Sequence, residues 1–417
     1  MQLGLGNNLV KAKGPSNPDG LSLDLQFAAD KTLTARKGPT PVFTRASGDN
    51  GGTTYFGLSV INAIFTYTDI DYNVDIPQGA TVTNGKWEWS NGTTRFYYTG
   101  TAWQLSTEGA VVATSAPTST YFPHLAQWFG PIVTATSSFD IVKAANNEPR
   151  FDYDPVTLIS KGLLIEEQRT NLLFPSDALT TQTRTVTAVP HTLSFYGTGT
   201  IILSGATIAT VTGTGDFPTR TKLTFTPSAG SLILTVTGTV ELAQLEVGAF
   251  ATSYIPTVSA SRTRSADVCS ISDVSTFYNS SEATLFVEAL VGSTSSFPSI
   301  ISLDNASSSN QLALAAFPSP NTVQGYVVSG GTTSASPNRP LTLGTFFKAA
   351  SSNKLNSFQI SMNGVNGTLD TSGAMPVGIS KMNIGRSWNG NAINGYLKSV
   401  RVYKKAVTDA KLITLTT

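Results

Sequence analysis

Cysteine is nearly missing from this chain. Cys269 stands alone among 417 residues, so no intrachain disulfide can form. Histidine is almost as scarce. His124 and His191 lie far apart, which argues against a histidine-centred triad and against a His-rich metal site. His191 falls on an alternating strand pattern and reads as a core or sheet residue. Charged residues make up 13% of the chain, against roughly 25% in an average soluble protein. The net charge is +1, so no global pull toward nucleic acid or an anionic membrane is expected. No Gly-rich phosphate loop opens a helix, and basic residues do not cluster. No run approaches the ~20 apolar residues of a membrane span. The first residues lack the pattern of a signal peptide, and folding in a cytoplasm is expected. Helix signals are few. The clearest is Thr408-Asp409-Ala410-Lys411-Leu412, where Thr408 can cap a single turn.

What the chain has is β signal. Hydrophobic content of 40% suffices for several cores, and at this length about two to four domains are expected. Short β-branched and aromatic runs alternate with Gly, Asn, Ser and Pro clusters roughly every 8–12 residues, the pattern of sandwiches and barrels. The expected fold class is all-β and multi-domain, with successive antiparallel β-sandwiches of jelly-roll type.

Six segments follow from the pattern. Residues 1–47 read as an N-terminal attachment arm. Within it, Leu21, Leu23 and Leu25 alternate with Ser22, Asp24 and Gln26, a strand suited to pairing with another subunit's sheet. Residues 48–140 read as an inserted β domain rich in Trp and Tyr. Its hairpin runs from Lys86-Trp87-Glu88-Trp89 to Arg95-Phe96-Tyr97-Tyr98 and turns at Asn91-Gly92. Residues 141–175 form a junction. Residues 176–260 form a sandwich whose strands have one apolar and one polar face, such as Leu232, Leu234 and Val236, or Ala243, Leu245 and Val247. Residues 261–280 read as a mostly polar linker. Residues 281–417 form the last sandwich, opening on a strand over 283–291 with Leu285, Val287, Ala289 and Val291 on one face.

Four places could carry chemistry. Asp69, Asp71, Asn73 and Asp75 alternate, so an extended chain puts all four on one face. That face is either a set of oxygen ligands for calcium or a solvated strand face. Trp87, Trp89, Trp103 and Trp128 either stack on sugar rings or fill a small core. Asp152 with Asp154, and Glu166 with Glu167, are the carboxyl pairs a glycan-cleaving enzyme would need. Trp388 lies in the turn-rich run Gly385-Arg386-Ser387-Trp388-Asn389-Gly390-Asn391. It is either a sugar platform, with Arg386, Asn389 and Asn391 supplying hydrogen bonds, or a lid over the sandwich end.

Three motifs add a resemblance. Phe43-Thr44-Arg45-Ala46-Ser47, Pro149-Arg150-Phe151-Asp152-Tyr153-Asp154-Pro155 and Gly162-Leu163-Leu164-Ile165-Glu166-Glu167-Gln168-Arg169-Thr170-Asn171-Leu172-Leu173 resemble, in order, segments of structural proteins of tailed bacteriophages. Residues 191–256, ending Leu245-Glu246-Val247-Gly248-Ala249-Phe250-Ala251-Thr252-Ser253-Tyr254-Ile255-Pro256, resemble the carbohydrate-binding-module-like jelly roll beside that junction. Residues 281–417 resemble a concanavalin-like or laminin-G-like jelly roll. The resemblance implies a non-enzymatic fibre, spike or decoration subunit of a phage particle, assembled in the host cytoplasm and located on the virion. It implies that both carboxyl pairs are structural and that no cofactor is needed. The N-terminal region would attach to other virion proteins, and the chain would form a homo-oligomer, a trimer. Two alternatives stand beside this: a receptor-binding adhesin gripping host surface glycan, which shares the fold, and a polysaccharide-depolymerising tailspike. The β-helix period expected of the last is not found.

Overall fold

The structure is a computed structural model. It describes residues 20–46, 144, 146–154, 159–293 and 297–417 in full, and between 52 and 143 the backbone of short strands. The chain divides into two compact units, one comprising residues 1–53 and 143–417, the other residues 54–142.

In the second unit, Thr81–Thr83, Lys86–Ser90, Thr94–Tyr98, Trp103–Thr107 and Ala110–Ser115 form an antiparallel meander in sequence order. The expected hairpin is there, with Trp89 opposite Phe96 and Glu88 opposite Tyr97. Trp87 and Trp89 occupy alternate positions of one strand. Trp128, and the carboxylates Asp69, Asp71 and Asp75, lie outside the described residues.

The first unit holds two all-β sandwiches. The smaller is contiguous in sequence. Gln182–Val186, Gly230–Thr237, Thr200–Gly205 and Ala209–Thr212 make one sheet; Thr221–Phe225, His191–Tyr196 and Glu241–Val247 make the other. Leu193, Phe195, Leu232, Leu234, Ala243 and Leu245 meet between them, all fully buried. His191 is a buried sheet residue, its Nδ1 2.8 Å from the Val189 carbonyl and its ring stacked on Phe225.

The larger sandwich draws strands from far along the chain. Its first sheet runs Arg150–Tyr153, Ser160–Ile165, Gly395–Tyr403, Glu282–Leu290, Phe347–Lys354, Ser357–Met362 and Val365–Asn366. Leu21–Leu25 joins this sheet, pairing with the end of Gly395–Tyr403 so that Leu23 faces Val402 and Leu25 faces Val400. The edge expected to meet another subunit is therefore taken by the chain itself, because Leu23 and Leu25 complete this core and are fully buried in it. The second sheet runs Val42–Thr44, Val268–Ile271, Lys381–Ile384, Ser299–Asp304, Gln311–Phe317, Thr322–Ser329 and Thr332–Ala335, with Asn338–Pro340 on the far side of Thr322–Ser329.

Two details differ from the sequence pattern. Residues 261–280 are not a solvated linker. They carry the strands Arg262–Arg264 and Val268–Ile271, and Arg264, Asp267, Cys269 and Phe277 are fully buried. The single turn at Thr408 is a helix, Asp409–Thr416, capped by the Thr408 hydroxyl, which accepts from the Lys411 amide at 3.4 Å. It buries Leu412 against Phe286, Ala350 and Tyr403. This explains why Phe286 is buried although it points away from Leu285 and Val287.

Candidate functional site

Segments distant in sequence converge in space. Arg45 ends the strand Val42–Thr44, Arg150 opens Arg150–Tyr153, Glu166 ends Ser160–Ile165, and Asp267 precedes Val268–Ile271. Between them the Asp267 carboxylate accepts from Arg45 at 3.1 Å and from Arg150 at 2.5 Å. Glu166 pairs with Arg150 and with Arg264, both at 2.9 Å. Glu166 also accepts from the Ser253 amide at 2.8 Å and its hydroxyl at 2.6 Å. Arg45, Arg150, Arg264 and Asp267 are withdrawn from solvent. Ser253 belongs to the smaller sandwich's closing loop, so this seam of charge joins the two sandwiches.

Buried charges are tolerated only when paired and hydrogen-bonded; every charge of the seam has an opposite partner, while the Nε atoms of Arg150 and Arg264 are buried without a hydrogen bond. Burial alone would raise the Glu166 carboxyl. The Arg264 and Arg150 guanidiniums, with the Ser253 hydrogen bonds, hold it down at about 2. Nearby, Arg169 pairs with Glu167 at 2.5 Å and lies over the Phe250 ring. It occupies the space beside Gly248, whose φ is +137°, and a Cβ there would collide with the guanidinium. Only glycine fits both conditions. Asn171 donates to the Ala243 and Ile255 carbonyls, each at 2.9 Å, and accepts from the Leu173 and Leu245 amides at 3.1 Å. The polar face of Glu241–Val247 is covered here: Gln244 and Glu246 are fully buried, and Glu246 accepts from Thr252.

The candidate carboxyl pairs are thus accounted for differently. Glu166 belongs to the seam. Glu167 accepts from the Asn394 side chain at 3.0 Å. Asp152 accepts from the Tyr396 hydroxyl at 2.6 Å, and burial raises its pKa. Among the described residues no three His, Cys, Asp or Glu side chains are grouped to hold a metal ion.

The Trp388 loop is mounted on this seam. Arg386 bridges to Ala392, and the loop between them closes through the Ser387 amide on the Asn391 carbonyl at 3.0 Å and the Gly390 amide on the Ser387 carbonyl at 2.9 Å. Asn394 beyond it accepts from the Glu167 amide at 2.8 Å. The four predicted residues are brought together but do not act alike. Trp388 is 41% exposed. Asn389 is exposed, and its side-chain oxygen accepts from the Ser387 hydroxyl at 2.6 Å. Arg386 turns inward, donating to the Asp267 carbonyl at 3.4 Å and lying against Gly390. Asn391 is half-buried, and its amide donates to the Ser387 hydroxyl at 3.2 Å. Trp388 and Asn389 face outward, while Arg386 and Asn391 hold the loop's shape.

Fold and site together define an all-β protein whose first unit holds two antiparallel sandwiches joined by a buried ion seam. No protein-family profile matches the sequence, and no curated protein matches it. Among solved structures, the carbohydrate-binding module of a Ruminococcus gnavus sialidase bound to sialyllactose is similar over 35% of this chain and 91% of its own, at 15% identity and a TM-score of 0.31. Domain 4 of an extracellular arabinanase from Geobacillus stearothermophilus, with arabinotriose, covers 40% and 82%, at 12% identity and 0.30. Mouse laminin α1 domains LG4–5 cover 59% and 92%, at 9% identity and 0.24. At such values nothing these proteins bind transfers to this chain.

Proposed function

We propose that this chain is a non-enzymatic structural subunit of a tailed-phage particle, a fibre, spike or decoration protein, that grips a host surface glycan through the Trp388 loop. The observation that carries the reading is the seam. Arg45, Arg150 and Glu166, one from each of three segments that resemble virion proteins, meet there with Arg264 and Asp267, which supports reading those segments as one physical device. The carboxylates of Glu166, Asp267 and Asp152 are taken up by Arg and Tyr partners, which supports a structural role for them. The open face of Trp388, on a loop tied to the seam, supports contact with a sugar ring, since aromatic faces stack on apolar surface and leave hydroxyls to polar neighbours. In this reading the N-terminal region attaches to other virion proteins, the subunit is a homotrimer, and it is assembled in the host cytoplasm. The test is glycan-array binding by the purified protein and by Trp388→Ala, with native mass spectrometry for the copy number. Binding lost in Trp388→Ala, from a three-copy assembly, is expected. Equal binding by both forms would sink the Trp388 grip, and new reducing ends from host polysaccharide would sink the non-enzymatic reading.

A further inference from the structure

A second aromatic surface lies on the outer face of the larger sandwich's second sheet, toward the end where the Gly385 amide donates to the Ile300 carbonyl. On Thr322–Ser329 the core takes Val323 and Val327, so Thr322, Gln324 and Tyr326 face outward. Phe317 pairs with Thr322 and shares that outer face. The Phe317 ring lies 5.2 Å from Tyr326 and 5.5 Å from Phe297, edge-on to the latter. Phe297 is 54% exposed and holds a φ of +53°. A bulky side chain rarely adopts that backbone, and here the result is a ring presented to solvent beside two others.

The surface continues into a cleft. Gln324 pairs with Asn338 across the sheet, so their side chains share the outer face, and Asn338 lines a cleft of about 360 Å³ between residues 336–338 and 368–371. Tyr326 to Gln324 is about 7 Å along the strand, and Asn338 is about 5 Å further, one strand over. The line from the aromatic platform through the amide pair thus reaches the edge of the sandwich, where Asn338 borders the hydroxyl-bearing cleft and Asp370 bridges to Phe358 of the other sheet. The cleft's charge is the Asp370 carboxylate, which accepts from the Ser372 amide at 3.1 Å. A carboxylate takes hydroxyl donors and repels anionic sugars.

We infer that this line is a binding site for a neutral oligosaccharide, stacked on Phe297, Phe317 and Tyr326 and hydrogen-bonded by Gln324, Asn338 and Asp370. It does not use the Trp388 ring. The test uses the full chain, titrated by calorimetry with neutral gluco-, galacto- and manno-oligosaccharides and with sialylated and uronic-acid oligomers. Phe297→Gly is the sharpest variant, because glycine adopts the same φ freely. It should hold or raise the melting temperature while weakening binding roughly tenfold, the loss of one stacked ring. Asp370→Asn should weaken neutral binding and relax the bias against acidic oligomers. Trp388→Ala should leave this binding in place, which separates failure here from failure of the Trp388 grip. The inference is overturned if no neutral oligomer binds, if Phe297→Gly binds as tightly as the parent, or if Trp388→Ala alone removes all binding.

Discussion

The two sandwiches of the first unit reach similar architecture by opposite routes. The smaller takes its seven strands from one run of chain, 182–247, and its core alternates in step with the sequence. The larger collects Leu21–Leu25, Val42–Thr44, Arg150–Tyr153, Ser160–Ile165 and Val268–Ile271 before its main body begins. A contiguous sandwich needs only local alternation. A dispersed one needs something to fix where its outlying strands end, and here that is charge. Arg45, Arg150, Glu166 and Asp267 each flank one of those strands, and each finds its partners only when the others are in place. A misregistered strand would leave a buried charge unpaired, at a cost of several kcal/mol.

The largest expected effect is at the seam. Asp267→Ala removes the shared partner of Arg45 and Arg150 and should cost about 3–5 kcal/mol, read as a lowered midpoint in urea. A loss under about 0.5 kcal/mol would mean the seam does not lock the outlying strands.

Next come the cores. Leu23→Ala and Leu234→Ala each empty a fully buried site, one in each sandwich, and should cost about 2–5 kcal/mol. If the seam couples the sandwiches, scanning calorimetry shows one transition that either substitution moves. Two transitions, each moved by only one of them, would show that the sandwiches unfold separately. If Leu23→Ala moved neither, residues 21–25 would not belong to the larger core.

Acid should separate the seam from the cores. The folded Glu166 carboxyl lies near 2, below its ordinary value of 4.5. Its contribution is present above pH 4.5 and is lost as pH falls from 4.5 toward 2, amounting to about 3 kcal/mol. Urea midpoints measured across that window should fall. A Glu166→Gln protein, already weaker at neutral pH, should fall less steeply over the same range.

How much of this was legible follows the same division. Alternation exposed the strand at 283–291 and, in the smaller sandwich, Gly230–Thr237, where burial tracks the period of two; it misled at Glu241–Val247, where Gln244 and Glu246 are fully buried and Val247 is exposed. It could not expose the burial of Phe286, which depends on the helix folding back from residues 409–416. Nor could it expose Arg264 and Asp267, since an isolated charge in a polar stretch reads as solvated until its partners are known. The motifs around Arg45, Arg150 and Glu166 signalled a junction by resemblance, but that they meet each other is information only the fold contains. In the candidate loop, the composition left Trp388 open between a sugar platform and a lid, and its 41% exposure comes only from the fold. Arg386 was read as a ligand donor, and its inward turn depends on a carbonyl, Asp267, more than a hundred residues away.

The smallest stability effect belongs to Trp388. A buried Trp cut to Ala costs about 3–5 kcal/mol, because the cavity is lined by atoms that lose their contacts. At 41% exposure, much of that ring touches solvent already, and the loop's shape is kept by bonds that do not involve it: Ser387 to Asn389 and Asn391, and Arg386 to Asp267. Trp388→Ala should therefore shift the urea midpoint by well under the Leu23→Ala effect. Arg386→Ala, which removes an inward tie and unpacks Gly390, should shift it more, by about 1 kcal/mol. That order is the reverse of what side-chain size alone predicts. If Trp388→Ala proved the more damaging of the two, the ring would be supporting the fold, and the case for it as a platform facing solvent would fail.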